Sequence, residues 1–294
     1  MTRTLVTGAS GALGRAVVAR LKTLGEQQVV TLGRRDESGL DLCDRAALLA
    51  ALDAHSPDLI LHLAARFQGE LEDLYPINVG VAKTLLDWAM GREVRVVLVG
   101  SAAEYGIVAA ADNPIAEDRV LAPVSAYGLS KAWQTQLLGV YAARGVDVVC
   151  ARVFNLIGPG ISSRLFAGRL EDGIRAVLAG EATEIRVGDL SAIRDYLSID
   201  EAARQLLRIA GRGRAGEIYH VASGVPVSMR ELARKRLAAA GLSLDVLRES
   251  PSDSTHVGYD VPAIHADMRK TQRLSDQPAK HCLKGLVEMN EGMA

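Results

Sequence analysis

The hydrophobic period of this chain changes again and again along its first half, and that alternation restricts the fold more than any other feature. Thr4-Leu5-Val6 is a short apolar run that ends near a glycine, as a buried strand does. Leu13, Val17, Leu21 and Leu24 follow at steps of four, four and three, which is one face of a helix. Residues 29–32 return to a strand, Leu48, Leu49 and Leu52 to a helix, and residues 59–63 to a strand. Val79, Leu85, Leu86 and Met90 mark another helix, and residues 94–99 a strand whose one polar residue is Arg95. Residues 131–143 read as a helix and 147–153 as a strand. Apolar strands separated by helices build a parallel sheet covered on both faces.

Beyond Gly158-Pro159-Gly160, a loop signal, the pattern loosens. Residues 165–178, 201–209 and 229–240 read as helices, and 184–187, 196–199 and 217–221 as short strands. A chain of 294 residues has room for about two domains. No repeat or long linker divides it, so a smaller second lobe is expected to pack on the first. The expected division is residues 1–157 with a return segment at about 187–212 for the first unit, and 158–186 with 213–294 for the second.

Composition removes several function classes. Apolar residues at 49% and charged residues at 23% permit a packed core and exclude wholesale disorder. The net charge of −1 lacks the basic excess of a sequence-independent nucleic-acid binder. Cys43, Cys150 and Cys282 are odd in number and have no C-x-x-C spacing, so neither a disulfide framework nor a metal site is indicated. No cleavable leader is visible, and no apolar run approaches the roughly 20 residues of a membrane span. The expectation is a cytoplasmic protein with no membrane or nucleic-acid partner.

Thr7-Gly8-Ala9-Ser10-Gly11-Ala12-Leu13-Gly14 lies between the first strand and the first helix. Gly8 would allow the tight turn, Gly11 the approach of a pyrophosphate to the backbone, and Gly14 the close packing of the helix. The phosphates would sit at the helix N-terminus, among free N–H groups. The second strand runs into Gly33-Arg34-Arg35, where an NAD-selective site usually has an acid. Arginines suit a 2′-phosphate, so NADP is the expected cofactor, with NAD as the alternative and two solvated surface arginines as the bland reading. Asp41-Leu42 could set a carboxylate near the adenine.

Tyr127 and Lys131 stand at i and i+4, which puts them on one face at the start of a helix. An ammonium beside a phenol favours the phenolate and lowers its pKa, so the tyrosine can exchange a proton with a carbinol oxygen. Ser101 ends an apolar strand, where open parallel sheets place their ligands, and its hydroxyl could hold the same oxygen.

With these motifs in place, the chain resembles the extended short-chain dehydrogenases/reductases, the nucleotide-sugar epimerase/dehydratase/reductase family. The likeness covers nearly the whole chain. It includes the glycine loop, Asp41-Leu42, His62-Leu63-Ala64-Ala65, Asn78, the segment from Ser101 to Gly106, Tyr127 and Lys131. It continues through Arg152-Val153-Phe154-Asn155-Leu156-Ile157-Gly158-Pro159-Gly160 and Arg194-Asp195-Tyr196-Leu197-Ser198-Ile199-Asp200-Glu201. The resemblance implies an α/β fold: a Rossmann domain, which is a doubly wound parallel sheet, with a smaller C-terminal α/β lobe for substrate. It implies a nucleoside-diphosphate sugar between the two, and a homodimer through the helices at 78–90 and 131–143. It gives cofactor contacts to Gly8, Ser10, Gly11, Ala12, Leu13, Gly14, Arg34, Arg35, Asp41, Leu42, Leu63, Ala64, Ala65, Asn78, Lys131 and Val153. Ser101, Tyr127 and Lys131 would be catalytic. Ser101, Ala102, Tyr127, Asn155 and Arg194 would meet the substrate, with Asn155 and Arg194 near its diphosphate.

Within the family, Val99-Gly100-Ser101-Ala102-Ala103-Glu104-Tyr105-Gly106 and Val187-Gly188-Asp189-Leu190 resemble GDP-4-keto-6-deoxymannose reductases. Family dehydratases carry an acid–base pair directly after the serine or threonine. Here Ala102 and Ala103 stand there, and two methyl groups cannot move protons. Glu104 is one residue out of register, so its side chain is expected to point elsewhere. The implied reaction is reduction of a 4-keto sugar by NADPH; a 4-epimerase holding NAD and a non-catalytic dinucleotide sensor are the alternatives. His220 replaces a more usual asparagine and reads as a structural histidine. Trp88 and Trp133 read as packing residues, the acidic stretch 70–73 as a solvated face, and residues 252–260 with His256 as a loop over the sugar site. Asn155 as a loop cap, and Arg194 paired with Asp195 or Asp200, remain open.

Overall fold

Apolar periodicity turns into architecture with small shifts. The computed structural model describes residues 2–25, 27–250 and 261–276. The segment 252–260, Cys282 and the C-terminal residues therefore lie outside the described part. The chain runs β1 (Thr2–Thr7), α1 (Ala12–Thr23), β2 (Gln27–Leu32), α2 (Arg45–His55), β3 (Leu59–His62), α3 (Leu71–Tyr75), α4 (Val81–Ala89), β4 (Arg95–Ser101), α5 (Ala126–Ala142) and β5 (Asp147–Val153). It continues with β6 (Asn155–Ile157), α6 (Phe166–Leu178), β7 (Ile185–Val187), β8 (Ile193–Ser198), α7 (Ile199–Arg212), β9 (Ile218–Val221), β10 (Pro226–Ser228), α8 (Met229–Ala239), β11 (Leu247–Glu249), β12 (Ala263–Ile264) and α9 (Arg269–Gln272).

Six strands form a parallel sheet in the order β2-β1-β3-β4-β5-β9. Successive residues of a strand face opposite sides. Val6, Val97 and Val149 pack under α1 and α7 against Val17, Leu21 and Leu206. Leu5, Val96 and Val148 pack under α2, α4 and α5 against Leu48, Leu85 and Leu138. Each such side chain removed from water contributes roughly 1.5–3 kcal/mol, so two full apolar layers hold the sheet. The order reverses between β1 and β3, and the C-terminal ends of strands at such a switch point are where open α/β sheets bind ligands.

α5 begins five residues earlier than its apolar spacing indicates. Ser125 caps it, its hydroxyl accepting from the Gly128 N–H at 3.0 Å. The first turn carries Tyr127, Gly128, Ser130 and Lys131, so hydrophobic periodicity is silent there. The helix expected around Val79 opens with a π-helical turn over Pro76–Gly80, a form common at functional sites. Trp88 donates its indole N–H to Asp53 at 2.7 Å and is buried, and Trp133 meets Tyr75 edge-on, as packing residues do.

The expected domain division needs correction at three strands. β9, at 218–221, falls in the range given to the second lobe, yet it pairs with β5 in the main sheet. β8, inside the expected return segment, is the centre of the smaller sheet, where it pairs with β10, β12 and β6. β6 itself lies within 1–157. Short apolar strands are alike in sequence, and only their long-range partners decide which sheet takes them. The lobe packs α6 and α8 over Leu170, Ile174, Val187 and Leu237, and β11 pairs with β7. Buried Asp195 fastens it: the carboxylate accepts from the N–H groups of Ser223, Gly224 and Ala266 and from the Ser223 hydroxyl. Buried Arg95 ties β4 to Asp147 and to the Ala210 and Gly213 carbonyls at the end of α7. Among the described residues no helix is long and apolar enough to cross a membrane.

Candidate active site

The glycine loop fills the switch point. Gly8 has φ of +74°, a left-handed conformation that suits glycine, and a Cβ there would lie 2.6 Å from the Ala64 nitrogen. A Cβ on Gly14 would lie 2.2 Å from the Gly8 carbonyl oxygen, so α1 rests directly on the loop. Gly11 is the N-cap of α1 and has no side chain to satisfy the first-turn N–H groups. Gly8, Gly11, Ala12, Leu13 and Gly14 thus gather as expected, with Ser10 exposed at the tip and Leu63, Ala64 and Ala65 across the crevice after β3. Uncapped N–H groups, glycines at the two tightest contacts of the loop and an adjoining strand end fit the pyrophosphate of a dinucleotide.

Four expected cofactor residues are used differently. Asn78 is fully buried, and its amide is committed to the backbone of Arg66 and to the Ser130 hydroxyl at 2.8 Å each. It anchors the segment after β3 to α5 rather than offering itself to a ligand. Leu42 is buried in the apolar layer under α2 and α4. Arg34 forms an exposed ion pair with Asp41 at 2.5 Å, while Arg35 is exposed. Val153 ends β5, opposite Ser101 in the register.

Ser101 ends β4, and Tyr127 in the first turn of α5 lies close enough for the Ser101 hydroxyl to favour its phenolate. The approach is possible because Gly128 has no Cβ, which would sit 2.4 Å from the Ala103 carbonyl oxygen. Lys131, one turn on and buried, donates to Gln134 Oε1 at 2.5 Å, and Gln134 donates to the Val99 carbonyl. Burial lowers the lysine to about 8, with Glu104 and then Cys150 opposing. Burial raises the Tyr127 hydroxyl, opposed by the Ser101 hydroxyl. The expected lowering of the tyrosine by Lys131 is therefore not what governs it: its surroundings keep the phenol protonated. His62 lies under the lysine. Its Nδ1 meets the Thr7 hydroxyl at 2.8 Å, its Nε2 is buried without a partner, and burial, followed by Lys131, lowers it to about 3.

Sequence reasoning quoted Arg152 within a motif and passed over what it does. The fully buried Glu104 takes the Ser101 N–H on Oε1 at 2.7 Å and the Arg152 guanidinium on Oε2 at 2.8 and 3.0 Å. Arg152, also fully buried, donates to the Tyr105 hydroxyl at 2.6 Å. Tyr105 meets His220 Nε2 at 2.5 Å, and His220 Nδ1 faces the Asp267 carbonyl at 3.1 Å. A carbonyl only accepts, so Nδ1 carries the proton and Nε2 accepts from Tyr105. Burial lowers His220 to about 3, so it is neutral and structural, as expected. Glu104 points away from the crevice, also as expected. A lone arginine in an otherwise apolar strand was the available signal, because such a residue needs a buried partner.

On the lobe side, Asn155 donates to the Asp195 carbonyl at 3.2 Å. Arg194 donates to the Ile193 and Val261 carbonyls. Asp195, on the opposite face of the strand, is taken by the backbone contacts already described, so Arg194 does not bond to it. Ala102 is half-buried beside Ser101.

A family model described as the NAD dependent epimerase/dehydratase family matches residues 4–222. The chain is 29% identical to the GDP-6-deoxy-D-mannose reductase of Pseudomonas aeruginosa over 202 residues, 66% of each chain. It is 31% identical to the dTDP-4-keto-6-deoxy-D-glucose reductase of Streptomyces niveus over 258 residues, 85% of this chain and 83% of that one. The solved structure of RMD from Pseudomonas aeruginosa, complexed with NADPH, superposes with a TM-score of 0.81 at 24% identity over the whole of both chains, a likeness of fold.

Proposed function

The chain belongs to the NAD-dependent epimerase/dehydratase family, and on that premise we propose that it reduces the C4 ketone of a nucleotide-linked 4-keto-6-deoxyhexose, as GDP-4-keto-6-deoxymannose reductases do. The observation that carries this reading is the state of the positions after Ser101. Ala102 and Ala103 hold no ionisable group, and both oxygens of the nearest carboxylate, Glu104, are taken by the Ser101 N–H and Arg152. No acid–base pair stands there to eliminate water, whereas one protonated phenol suffices for ketone reduction. Two reductases of nucleotide-linked sugars among the relatives support the same reading.

A bound reduced nicotinamide dinucleotide supplies the hydride for C4. Gly8, Gly11 and the first turn of α1 would hold its diphosphate, and Lys131 would bind its nicotinamide half. Tyr127 gives its proton to the carbonyl oxygen while the neighbouring Ser101 hydroxyl holds that oxygen. Hydride and proton together convert the ketone to the alcohol. The phenolate left behind is stabilised by the Ser101 hydroxyl and by the Lys131 ammonium one turn away. Arg194 and Asn155 face the sugar diphosphate, and the active unit is a homodimer through α4 and α5, where Val140 is exposed.

Reduction then needs Lys131 charged. The pH profile of kcat/KM is expected to be flat towards acid and to fall as pH rises through about 8, where Lys131 loses its proton. A profile flat through that region removes the cation from the mechanism. Product formed with dinucleotide deuterated at the nicotinamide carbon tests the reaction itself. One deuterium at C4 of the sugar is expected. Turnover with an ordinary nucleotide sugar, no net use of dinucleotide and no deuterium incorporated identify an epimerase instead.

A further inference from the structure

The end of β2 is where a dinucleotide site ordinarily presents an acid to the adenosine ribose. Gly33 stands there, so the sequence passed that role to Arg34 and Arg35. The structure brings a carboxylate back to the same place from three residues on. After Gly33 the chain turns, the Asp36 N–H donating to the Gly33 carbonyl at 3.2 Å. A Cβ built on Gly33 would lie 2.8 Å from Asp36 Oδ2, so the carboxylate fills the space that the glycine leaves. The backbone of Ser10 in the glycine loop opposes the effect of burial on the same carboxyl, so the carboxyl lies between the strand end and the phosphate loop. Asp36 Oδ2 is shut off from solvent and has no hydrogen-bond partner. A buried oxygen without a donor is costly, and a ligand hydroxyl in this crevice would relieve it. Burial also pushes the Asp36 carboxyl up from its ordinary range. Meanwhile Arg34 is drawn aside by Asp41.

We propose that Asp36 reads the adenosine ribose, accepting from its 2′-hydroxyl, and that the site in consequence takes NADH alongside NADPH instead of being held to NADPH by its two arginines. A carboxylate at this point opposes the 2′-phosphate, and Arg34 and Arg35 offset it. The two dinucleotides are thereby brought close in affinity. This inference rests on the dinucleotide reading above and is independent of the sugar.

Titration of the full-length protein with NADH and with NADPH, without sugar and read by calorimetry, tests it. The two dissociation constants are expected to lie within about tenfold of each other. Asp36→Ala is expected to weaken NADH and strengthen NADPH, moving their ratio by about tenfold or more. Asp36→Asn removes the charge but keeps an acceptor, so it should strengthen NADPH and leave NADH nearly unchanged. Asp36 lies in a turn outside the apolar layers, and an unaltered Tm checks that both variants fold. A ratio that neither variant moves overturns the proposal, as does a wild-type preference for NADPH beyond about a hundredfold. Failure of the ketoreductase reading looks different: no keto sugar consumes NADPH, while these titrations stand. If neither dinucleotide binds, the dinucleotide reading and this proposal fall together.

Discussion

Tyr127→Phe lowers the turnover number by about a thousandfold, within the range of a lost general acid, and leaves dinucleotide affinity and Tm close to those of the wild type. The expectation follows from what the hydroxyl touches. It lies beside Ser101 at the end of β4, and burial keeps it protonated, so it is placed to give a proton. Phenylalanine keeps the ring and its packing and removes only the transferable proton. The Ser101 hydroxyl accepts from the Ala103 N–H at 3.2 Å and keeps its own proton for holding the carbonyl oxygen. Steady-state rates with a 4-keto sugar, set beside dinucleotide titration, check the split. A variant with more than about a tenth of wild-type turnover would assign the proton to another group.

Arg152→Met is expected to cost about 3–5 kcal/mol, a fall in Tm of roughly 10 °C. Arg152 and Glu104 are both fully buried and paired at 2.8 Å. Methionine fills much of the volume but leaves the Glu104 carboxylate in the interior without a cation. Breaking one side of such a pair costs far more than replacing both. Glu104→Val with Arg152→Met should therefore recover most of the stability. Because Glu104 also holds the Ser101 N–H at 2.7 Å, the double variant is expected to stay slow in turnover after its Tm has recovered. Thermal unfolding of the two single variants and the double variant decides this. Equal Tm values for the wild type and Arg152→Met would mean that the pair carries no stability.

Much of this was legible in the sequence because period and local chemistry are local. Val17 and Leu21 announce α1 by spacing, the three glycines announce the loop by position, and Tyr127 with Lys131 announces the proposed acid and its cation by a one-turn separation. What the sequence withheld depends on distant contacts. Residues 218–221 look like any short apolar strand, and only pairing with β5 puts them in the main sheet. Asp195 reads as a partner for Arg194, yet alternation along β8 turns it to the other face, where three backbone N–H groups await it. Asn78 reads as a ligand contact and is used up holding Arg66 and Ser130. Asp36 reads as one more polar residue of a loop until the turn after Gly33 folds its carboxylate against the strand end.

Loss of NADPH absorbance on mixing the protein with GDP-4-keto-6-deoxymannose, and with its dTDP- and CDP-linked counterparts, tests the central claim most directly. The account predicts that one of them consumes NADPH in a one-to-one ratio with the alcohol formed at C4, and that Tyr127→Phe abolishes the signal. Release of water from an ordinary nucleotide sugar by the same preparation would contradict it, since the carboxylate nearest Ser101 among the described residues, Glu104, is locked to Arg152.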